Sequence, residues 1–170
     1  MTDIQIARGD ITVQDTDAIV NAANEALAGG GGVDGAIHAA AGPRLMAACR
    51  EIPEVRPGVR CPTGDARLTP GFDLLARFVI HTVGPRYSMS DAPNLLDSAF
   101  SSSLTLASDH PRIRTVALPA ISCGIYGYPV DEAAPIALSV ARRGPWDLDV
   151  IRFVLFSERH HSAFVSASGS

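Results

Sequence analysis

The sequence predicts an α/β fold of three layers, built around a mostly parallel sheet. Six short segments with strand character alternate with segments that repeat apolar residues at helical spacing, as is typical of that class. A run of four glycines at 29–32 lies between one of these strands and the next helix. The length of 170 residues fits one domain, so we expect residues 1–170 to form a single folding unit.

The predicted strands follow from alternating or continuous apolar residues. Ile4 and Ile6 alternate with less apolar neighbours in the first strand, which ends near Gly9, and residues 10–12 have the composition of a turn. The remaining strands are expected at 17–21, 66–69, 78–83, 114–120 and 150–156. In a parallel sheet ligands bind at the carboxyl ends of the strands, which is where both glycine-bearing loops and Phe156 are expected.

The predicted helices repeat apolar residues every three or four positions. They are expected at 33–41, around 45–49, at 94–108 and at 131–143. Gly42 stops the first helix, and Pro43 suits the first turn of the second. A short helix is expected after the last strand, and the small polar tail from Ser166 is expected to fray.

Composition excludes several functions. A net charge of −4 provides no basic surface for DNA or for an anionic membrane. The apolar runs are far too short to span a bilayer, and the N-terminus lacks the regions of a signal peptide. Three cysteines without a C-x-x-C pair argue against a disulfide scaffold or a thiolate metal site. We therefore expect a cytoplasmic protein with no metal and no cofactor.

The glycine run at 29–32 is expected to hold phosphate. Glycine leaves backbone N–H groups unshielded at the start of a helix, where the helix dipole favours an anion, and Asp34 lies just beyond. Gly30, Gly32 and Gly35 match G-x-G-x-x-G, but eight residues separate them from the preceding strand. The chain has no lysine, which a Walker A loop requires. The sequence around the glycines therefore fits neither the dinucleotide-binding G-x-G-x-x-G motif nor the Walker A loop.

A third pattern fits better. Gly-Asp-Ile-Thr at 9–12, Ile-Val-Asn-Ala-Ala-Asn at 19–24 and the stretch 29–38 resemble the macrodomain family. The motifs at 61–64, 81–85 and 119–129 match the same family in the same order, so the resemblance covers nearly the whole chain.

The Gly-Gly-Val-Asp form of the glycine loop resembles the MacroD-type branch, which includes bacterial O-acetyl-ADP-ribose deacetylases. The resemblance implies a three-layer α/β/α sandwich with a six-stranded mixed, mostly parallel sheet. It also implies a cleft across the strand ends that binds ADP-ribose.

The resemblance places the adenine of ADP-ribose near both ends of the chain. Asp10 accepts the adenine amino group in this interpretation, with Ile11 alongside, because a carboxylate accepts hydrogen bonds without donating. Phe156 stacks on the base. The residues alone favour a turn-forming role for Asp10 and a core position for Phe156.

The resemblance also assigns the diphosphate to backbone N–H groups of two opposed loops. The first loop contributes Gly31, Gly32 and Val33. The second contributes Ser122, Gly124, Ile125 and Tyr126. Without the resemblance, these loops are a pair of flexible turns, which suits four consecutive glycines poorly because glycine loses so much entropy on folding.

At the distal ribose, Asn24 is expected to bind the hydroxyls and Tyr126 to pack on the ring. Asp34 is the candidate catalytic carboxylate, positioned to orient or deprotonate water. The alternative is an acid that stabilises the helix N-terminus, and position alone does not separate the two. Asn21 is expected to be structural, tying the loop backbone together. His38 lies one turn after Asp34 on the same helix face, so it either steadies Asp34 or is a structural histidine.

Two classes of function follow. The first is a hydrolase that deacetylates O-acetyl-ADP-ribose or removes mono-ADP-ribose from acidic side chains of proteins. The second is a non-catalytic reader that binds ADP-ribose or mono-ADP-ribosylated proteins. A phosphatase acting on ADP-ribose 1″-phosphate is a third, weaker alternative. The presence of Asn24 together with Asp34 favours the hydrolase.

Overall fold

Six strands and five α-helices make up the structure, a computed structural model that describes residues 1–169. The strands are β1 (Asp3–Arg8), β2 (Ala18–Ala22), β3 (Ala66–Pro70), β4 (Phe78–Thr82), β5 (Thr115–Leu118) and β6 (Val150–Leu155). The helices are α1 (Gly32–Ala41), α2 (Pro43–Glu51), α3 (Ala92–Asp109), α4 (Val130–Arg143) and α5 (Glu158–Ser168). A 3-10 helix, Ile11–Val13, replaces the plain turn predicted after β1. None of the helices within residues 1–169 is both long and apolar enough to cross a bilayer.

The strands form a single sheet in the order β1-β6-β5-β2-β4-β3. Only the pairing of β3 with β4 is antiparallel, and the other four pairings are parallel. The predicted six-stranded, mixed and mostly parallel sheet is confirmed. Because β1, β6, β5 and β2 run in the same direction, their carboxyl ends meet at one edge of the sheet.

Helices cover both faces of the sheet, because alternate residues of each strand point to opposite sides. Val20 of β2 packs into a large apolar cluster with α3, α4 and α5, whereas its neighbour Ile19 packs with α1 and α2. Phe153 and Val154 of β6 divide between the two clusters in the same way. The predicted three-layer α/β/α sandwich is confirmed.

A single glycine joins α1 and α2, the two helices that follow the glycine run. Gly42 has a φ of +84°, a left-handed conformation that glycine adopts without steric cost, and its N–H donates to the carbonyl of His38 at 3.1 Å. Pro43 then begins α2 at once, as predicted. This tight connection keeps α1 and α2 together on one face of the sheet.

The C-terminal helix is longer than expected. α5 runs to Ser168, so the fraying predicted from Ser166 is wrong for residues 166–168. The guanidinium of Arg142 in α4 donates to the carbonyl of Ser168 at 2.9 Å and ties the helix end to the fold. This contact joins residues 26 positions apart, so local composition does not reveal it. Ser170 lies outside the described residues.

Candidate functional site

A cleft opens at the carboxyl ends of β2 and β5, with a cavity volume of about 180 Å³. The loop after β2 forms one wall and the loop after β5 forms the other. The residues that line it are Ala22, Ala23, Asn24, Gly30, Gly31, Gly32, Val33, Asp34, Gly84, Ala120, Ser122, Gly124, Ile125 and Tyr126. The structure therefore brings the two glycine-bearing loops, Asn24 and Asp34 together.

Free backbone N–H groups border the cleft where α1 begins. Gly31 is the N-cap of α1, and no side chain caps the helix. Among residues 1–169, no acceptor takes the N–H groups of Gly31, Gly32 or Val33, as expected for the first turn of a helix. A Cβ added at Gly31 or Gly32 would meet nothing within 4 Å, so the space in front of these amides is open.

The loop after β5 has the same property. Its alternate N–H groups close the loop on itself: Cys123 donates to the carbonyl of Ala120 at 3.2 Å, and Tyr128 donates to that of Ser122 at 2.9 Å. No acceptor among residues 1–169 takes the N–H groups of Ala120, Ser122, Gly124, Ile125 or Tyr126. The seven amides for which the resemblance implies phosphate binding are all unpaired among residues 1–169, and so are those of their neighbours Gly30, Asp34 and Ala120.

Gly84 also lines the cleft, and the sequence analysis did not identify it as a site residue. A Cβ at Gly84 would lie 2.5 Å from Cγ2 of Ile121 and would also meet Oγ of Ser122. Ser122 itself has a φ of +69°, and its hydroxyl is buried without a partner among residues 1–169. The absent side chain of Gly84 therefore makes room for the strained turn of the second loop.

Asp34 lies in the first turn of α1 and is 6% exposed. Its Oδ1 accepts from Nδ2 of Asn21 at 2.8 Å and lies 3.3 Å from Nε2 of His38. Within residues 1–169 no donor reaches Oδ2, which lies 3.5 Å from the position that a Cβ on Gly30 would occupy. One carboxylate oxygen is thus fixed to the protein, and the other is left for a group in the cleft.

Asn24 lines the cleft but also braces the loop around it. Its Nδ2 donates to the carbonyl of Gly29 at 2.8 Å, and its Oδ1 accepts from the N–H of Ala28 at 3.0 Å. Each polar atom keeps one further hydrogen or lone pair. Asn24 is predicted from the sequence to bind only the ligand, whereas in the structure it also shapes the glycine loop.

Asn21 is buried, and its contacts differ from those expected. Its amide bonds the side chains of Asp34 and His81, not the loop backbone. His81 is fully buried and also contacts Oγ1 of Thr69 at 2.9 Å. Burial, with a smaller contribution from the nearby His38, lowers the pKa of His81 from 6.5 to about 3. His81 is therefore neutral at physiological pH.

We expect the free energy of unfolding to fall as the pH drops from about 6.5 towards 3. Unfolded His81 binds a proton in this range and folded His81 does not, so its contribution to stability is complete above 6.5 and declines below it. The slope from this one group is about 1.4 kcal/mol per pH unit. Urea denaturation at several pH values should show a steeper loss for the wild type than for His81→Asn. Parallel curves would contradict the assignment.

The three cysteines are poor nucleophiles in this fold. Burial raises the pKa of the Cys49 thiol to about 11 and those of Cys61 and Cys123 to about 12, so all three are protonated near neutral pH. Within residues 1–169, no three His, Cys, Asp or Glu side chains are grouped to hold a metal ion. Among the residues that line the cleft, Asp34 is the one carboxylate.

Asp10, Ile11 and Phe156 do not line this cavity. They lie at the carboxyl ends of β1 and β6, on the same edge of the sheet. Measured from β2, β1 is three strand spacings away, about 14 Å, and β6 is two, about 10 Å. Oδ1 of Asp10 accepts from the N–H and the hydroxyl of Thr12 at 2.9 and 2.7 Å, so this acid does form the turn. Phe156 is 80% exposed, which excludes the core position considered from its sequence.

Tyr126 lines the cleft and is anchored by two contacts with neighbouring residues. The guanidinium of Arg86 lies over its ring, with 5.5 Å between the central carbon and the ring centroid. The carbonyl of Tyr126 accepts from the N–H of Tyr87 at 3.0 Å. The first contact restrains the ring and the second the backbone of Tyr126, and no arginine is among the residues that line the cleft.

Comparisons with known proteins agree with this geometry. The Macro domain family model matches residues 20–137. A Macro domain-containing protein of Xanthomonas campestris is 58% identical over 141 residues, covering 82% of this chain and 78% of the relative. Another, from Streptomyces coelicolor, is 49% identical over 170 residues, covering 99% of this chain and all of the relative.

Solved structures show the same fold with ligands. A mutant macrodomain of Oceanobacillus iheyensis with ADPR superposes with a TM-score of 0.94 at 42% identity, covering 99% of this chain and 92% of that one. A Trypanosoma brucei macrodomain in complex with ADP-ribose has a TM-score of 0.87 at 39% identity, covering 98% of this chain and 69% of that one. The family model, the relatives and the shared fold together establish that this chain belongs to the macrodomain family.

Proposed function

We propose that the chain binds ADP-ribose in the cleft and hydrolyses acyl esters of its distal ribose. The observation that carries the proposal is the set of seven unpaired backbone N–H groups on two facing loops. Such groups bind the oxygens of a diphosphate without any lysine or arginine. The solved macrodomain structures that contain ADPR and ADP-ribose support this ligand.

The remaining parts of ADP-ribose fit the strand ends on either side. The adenine lies towards β6 and β1, where Phe156 offers an exposed ring for stacking. Oδ2 of Asp10 is free to accept the adenine amino group, since Thr12 uses Oδ1. Ile11 provides apolar contact next to Asp10. The distal ribose lies near Asn24 and Tyr126, next to Asp34.

Asp34 orients or deprotonates the attacking water through its free Oδ2. Asn21 and His38 hold Oδ1, so the second oxygen has a defined direction. Positioning of this kind lowers the entropic part of the barrier, and proton transfer to a carboxylate adds to it. Hydrolysis of the ester gives ADP-ribose and a carboxylic acid, and the proton lost by water ends on the released ribose oxygen or in solvent.

The substrates in this proposal are O-acetyl-ADP-ribose and proteins that carry mono-ADP-ribose on an Asp or Glu side chain. Both present an acyl ester to the same position near Asp34. The Gly-Gly-Val-Asp sequence at 31–34 supports placing the chain in the MacroD-type branch. The proposal treats residues 1–170 as one domain and locates it in the cytoplasm, where three free cysteines are stable.

Two measurements test the proposal. Calorimetry should show that ADP-ribose binds more tightly than NAD, and acetate should be released from O-acetyl-ADP-ribose in excess of enzyme. Tighter binding of NAD would contradict the assignment of the cleft. Binding of ADP-ribose without turnover of either ester would contradict the hydrolase and support the reader module.

We expect Phe156→Ala to raise the Kd for ADP-ribose about 5- to 150-fold, because one base–aromatic stack is worth about 1–3 kcal/mol. The melting temperature should stay unchanged, since the ring is exposed. Leu75→Ala removes another exposed apolar side chain, 66% accessible, and should leave the Kd unaltered. Calorimetry on both variants checks this, and equal affinities would remove Phe156 from the site.

A further inference from the structure

A row of buried polar side chains lies beneath the cleft. It runs from Thr69 through His81 and Asn21 to Asp34, and none of the four is more than 6% exposed. They come from β3, β4, β2 and α1, and the parallel register of β2 and β4 places Asn21 directly beside His81. The proposed mechanism uses Asp34 and Asn21 but gives no role to the other two.

The distances fix the direction of each hydrogen bond. A single atom of Asn21 lies 2.8 Å from Oδ1 of Asp34 and 3.2 Å from Nδ1 of His81. An ionised carboxylate only accepts, so this atom is the amide nitrogen, and its second hydrogen points to His81. Nδ1 of His81 must therefore carry a lone pair. Because the ring is neutral, its proton is on Nε2.

Thr69 stabilises that tautomer. Nε2 of His81 lies 2.9 Å from Oγ1 of Thr69, which accepts the ring proton, and Sγ of Cys49 is the next nearest polar atom at 3.8 Å. If the proton moved to Nδ1, it would face the amide hydrogens of Asn21. Asn21 would then have to turn its oxygen towards His81, which would withdraw the donor from Asp34.

The arrangement leaves one buried acceptor unpaired. Oδ1 of Asn21 is inaccessible to solvent and has no partner within residues 1–169. A buried polar atom without a hydrogen bond destabilises the folded state. An apolar residue at 21 would avoid this cost. The asparagine at position 21 is therefore better explained by a need for two amide hydrogens, one for Asp34 and one for His81, than by a contribution to stability.

We propose that His81 and Thr69 are positioning residues for Asp34: the Nε2–H tautomer of His81, held by Thr69, compels Asn21 to donate to Oδ1 of Asp34 and so directs Oδ2 to the attacking water. This inference rests on the proposed hydrolase function. Neither residue touches the ligand in this scheme. Both act through the amide of Asn21, so their loss should lower kcat without changing KM.

Two substitutions of His81 separate the scheme from a purely structural role. His81→Asn places an amide oxygen near the position of Nδ1 and keeps an acceptor for Asn21, whereas His81→Gln reaches towards Thr69 and loses that acceptor. Both leave space in the core and should lower the melting temperature. We expect only His81→Gln to lose kcat, by about 10- to 100-fold, with KM and the Kd for ADP-ribose unchanged.

A second pair of variants tests Thr69 and leaves the imidazole of His81 in place. Thr69→Val removes the acceptor for Nε2–H, and Thr16→Val removes a buried hydroxyl that bonds the carbonyl of Ala18 at 2.9 Å, away from the cleft. We expect only Thr69→Val to lower kcat. Nitrogen NMR of the His81 ring should show a protonated Nε2 and a bare Nδ1 between about pH 5 and 8 in the wild type.

Several results would overturn the inference. These are a ring proton on Nδ1, equal kcat values for His81→Asn and His81→Gln, or a loss confined to KM. If the wild type turns over neither ester, the proposed function fails instead, and the NMR result still decides the tautomer. If both His81 variants fail to fold, Thr69→Val against Thr16→Val decides the kinetic part.

Discussion

Asp34→Ala is expected to reduce deacetylation of O-acetyl-ADP-ribose by about 100-fold or more while leaving the Kd for ADP-ribose unchanged. A positioned acid or base contributes about 10²- to 10⁴-fold to a rate, and the diphosphate is held by backbone amides that this change does not touch. Single-turnover kinetics and calorimetry measure the two quantities separately. Asp34→Asn keeps the size of the side chain and tests whether the charge is required.

The matched control for Asp34 is another acid in the first turn of a helix. Asp131 lies in the first turn of α4 and is exposed, away from the cleft. Asp131→Ala should cost about 0.3–1 kcal/mol through the helix dipole and leave turnover intact. If Asp34→Ala behaves in the same way, Asp34 is only a helix-stabilising acid. Full activity in Asp34→Asn would limit its role to orienting water through an uncharged oxygen.

Gly35→Ala is expected to raise the Kd for ADP-ribose about 10- to 150-fold. A Cβ at Gly35 would lie 2.5 Å from the carbonyl oxygen of Gly30, which is backbone and yields only if the glycine loop moves. Such a shift takes at least one amide away from the phosphate, and a hydrogen bond to a charged group is worth about 1.5–3 kcal/mol. Calorimetry at a temperature where the variant is folded measures the effect.

Gly71→Ala is the control for the backbone strain that an added Cβ produces, because this strain arises outside the cleft. A Cβ at Gly71 would meet the carbonyl of Ala76 in the turn between β3 and β4, away from the cleft. Both variants should lower the melting temperature, and only Gly35→Ala should weaken binding. An unchanged Kd for Gly35→Ala would mean that the loop tolerates displacement, and would argue against rigid amides as the basis of affinity.

The local sequence pattern was sufficient to predict the strands, the helices and the two glycine-bearing loops. Ile19 and Val20 lie in a short apolar run, and each is buried on a different face of the sheet, which is what predicts a covered strand. The four glycines at 29–32 are followed directly by periodic apolar residues, which predicts amides at a helix N-terminus. Each of these two patterns is contained in about a dozen consecutive residues, so each can be recognised from the local sequence.

Long-range partners were beyond the reach of that pattern. Asn21 and His81 are 60 residues apart and meet only because β2 and β4 pair in one register. A shift of the strands by one residue would turn His81 to the other face, and composition does not fix the register. The hydrogen bond from Arg142 to the carbonyl of Ser168 in α5 could not be predicted from the sequence because it too joins distant parts of the chain. The hydrogen bonds of Asn24 to Gly29 and Ala28 depend on the conformation of the glycine loop. Four consecutive glycines allow many conformations, so the sequence does not predict these contacts.

The cleft that holds a dianion in this proposal has no cationic side chain among its lining residues. The chain as a whole is also negative, at −4. Amide dipoles act only at short range, so a charged ligand gains no electrostatic acceleration as it approaches. Raising the ionic strength should therefore not slow the association of the ligand, as it would if the ligand were steered by positive charge.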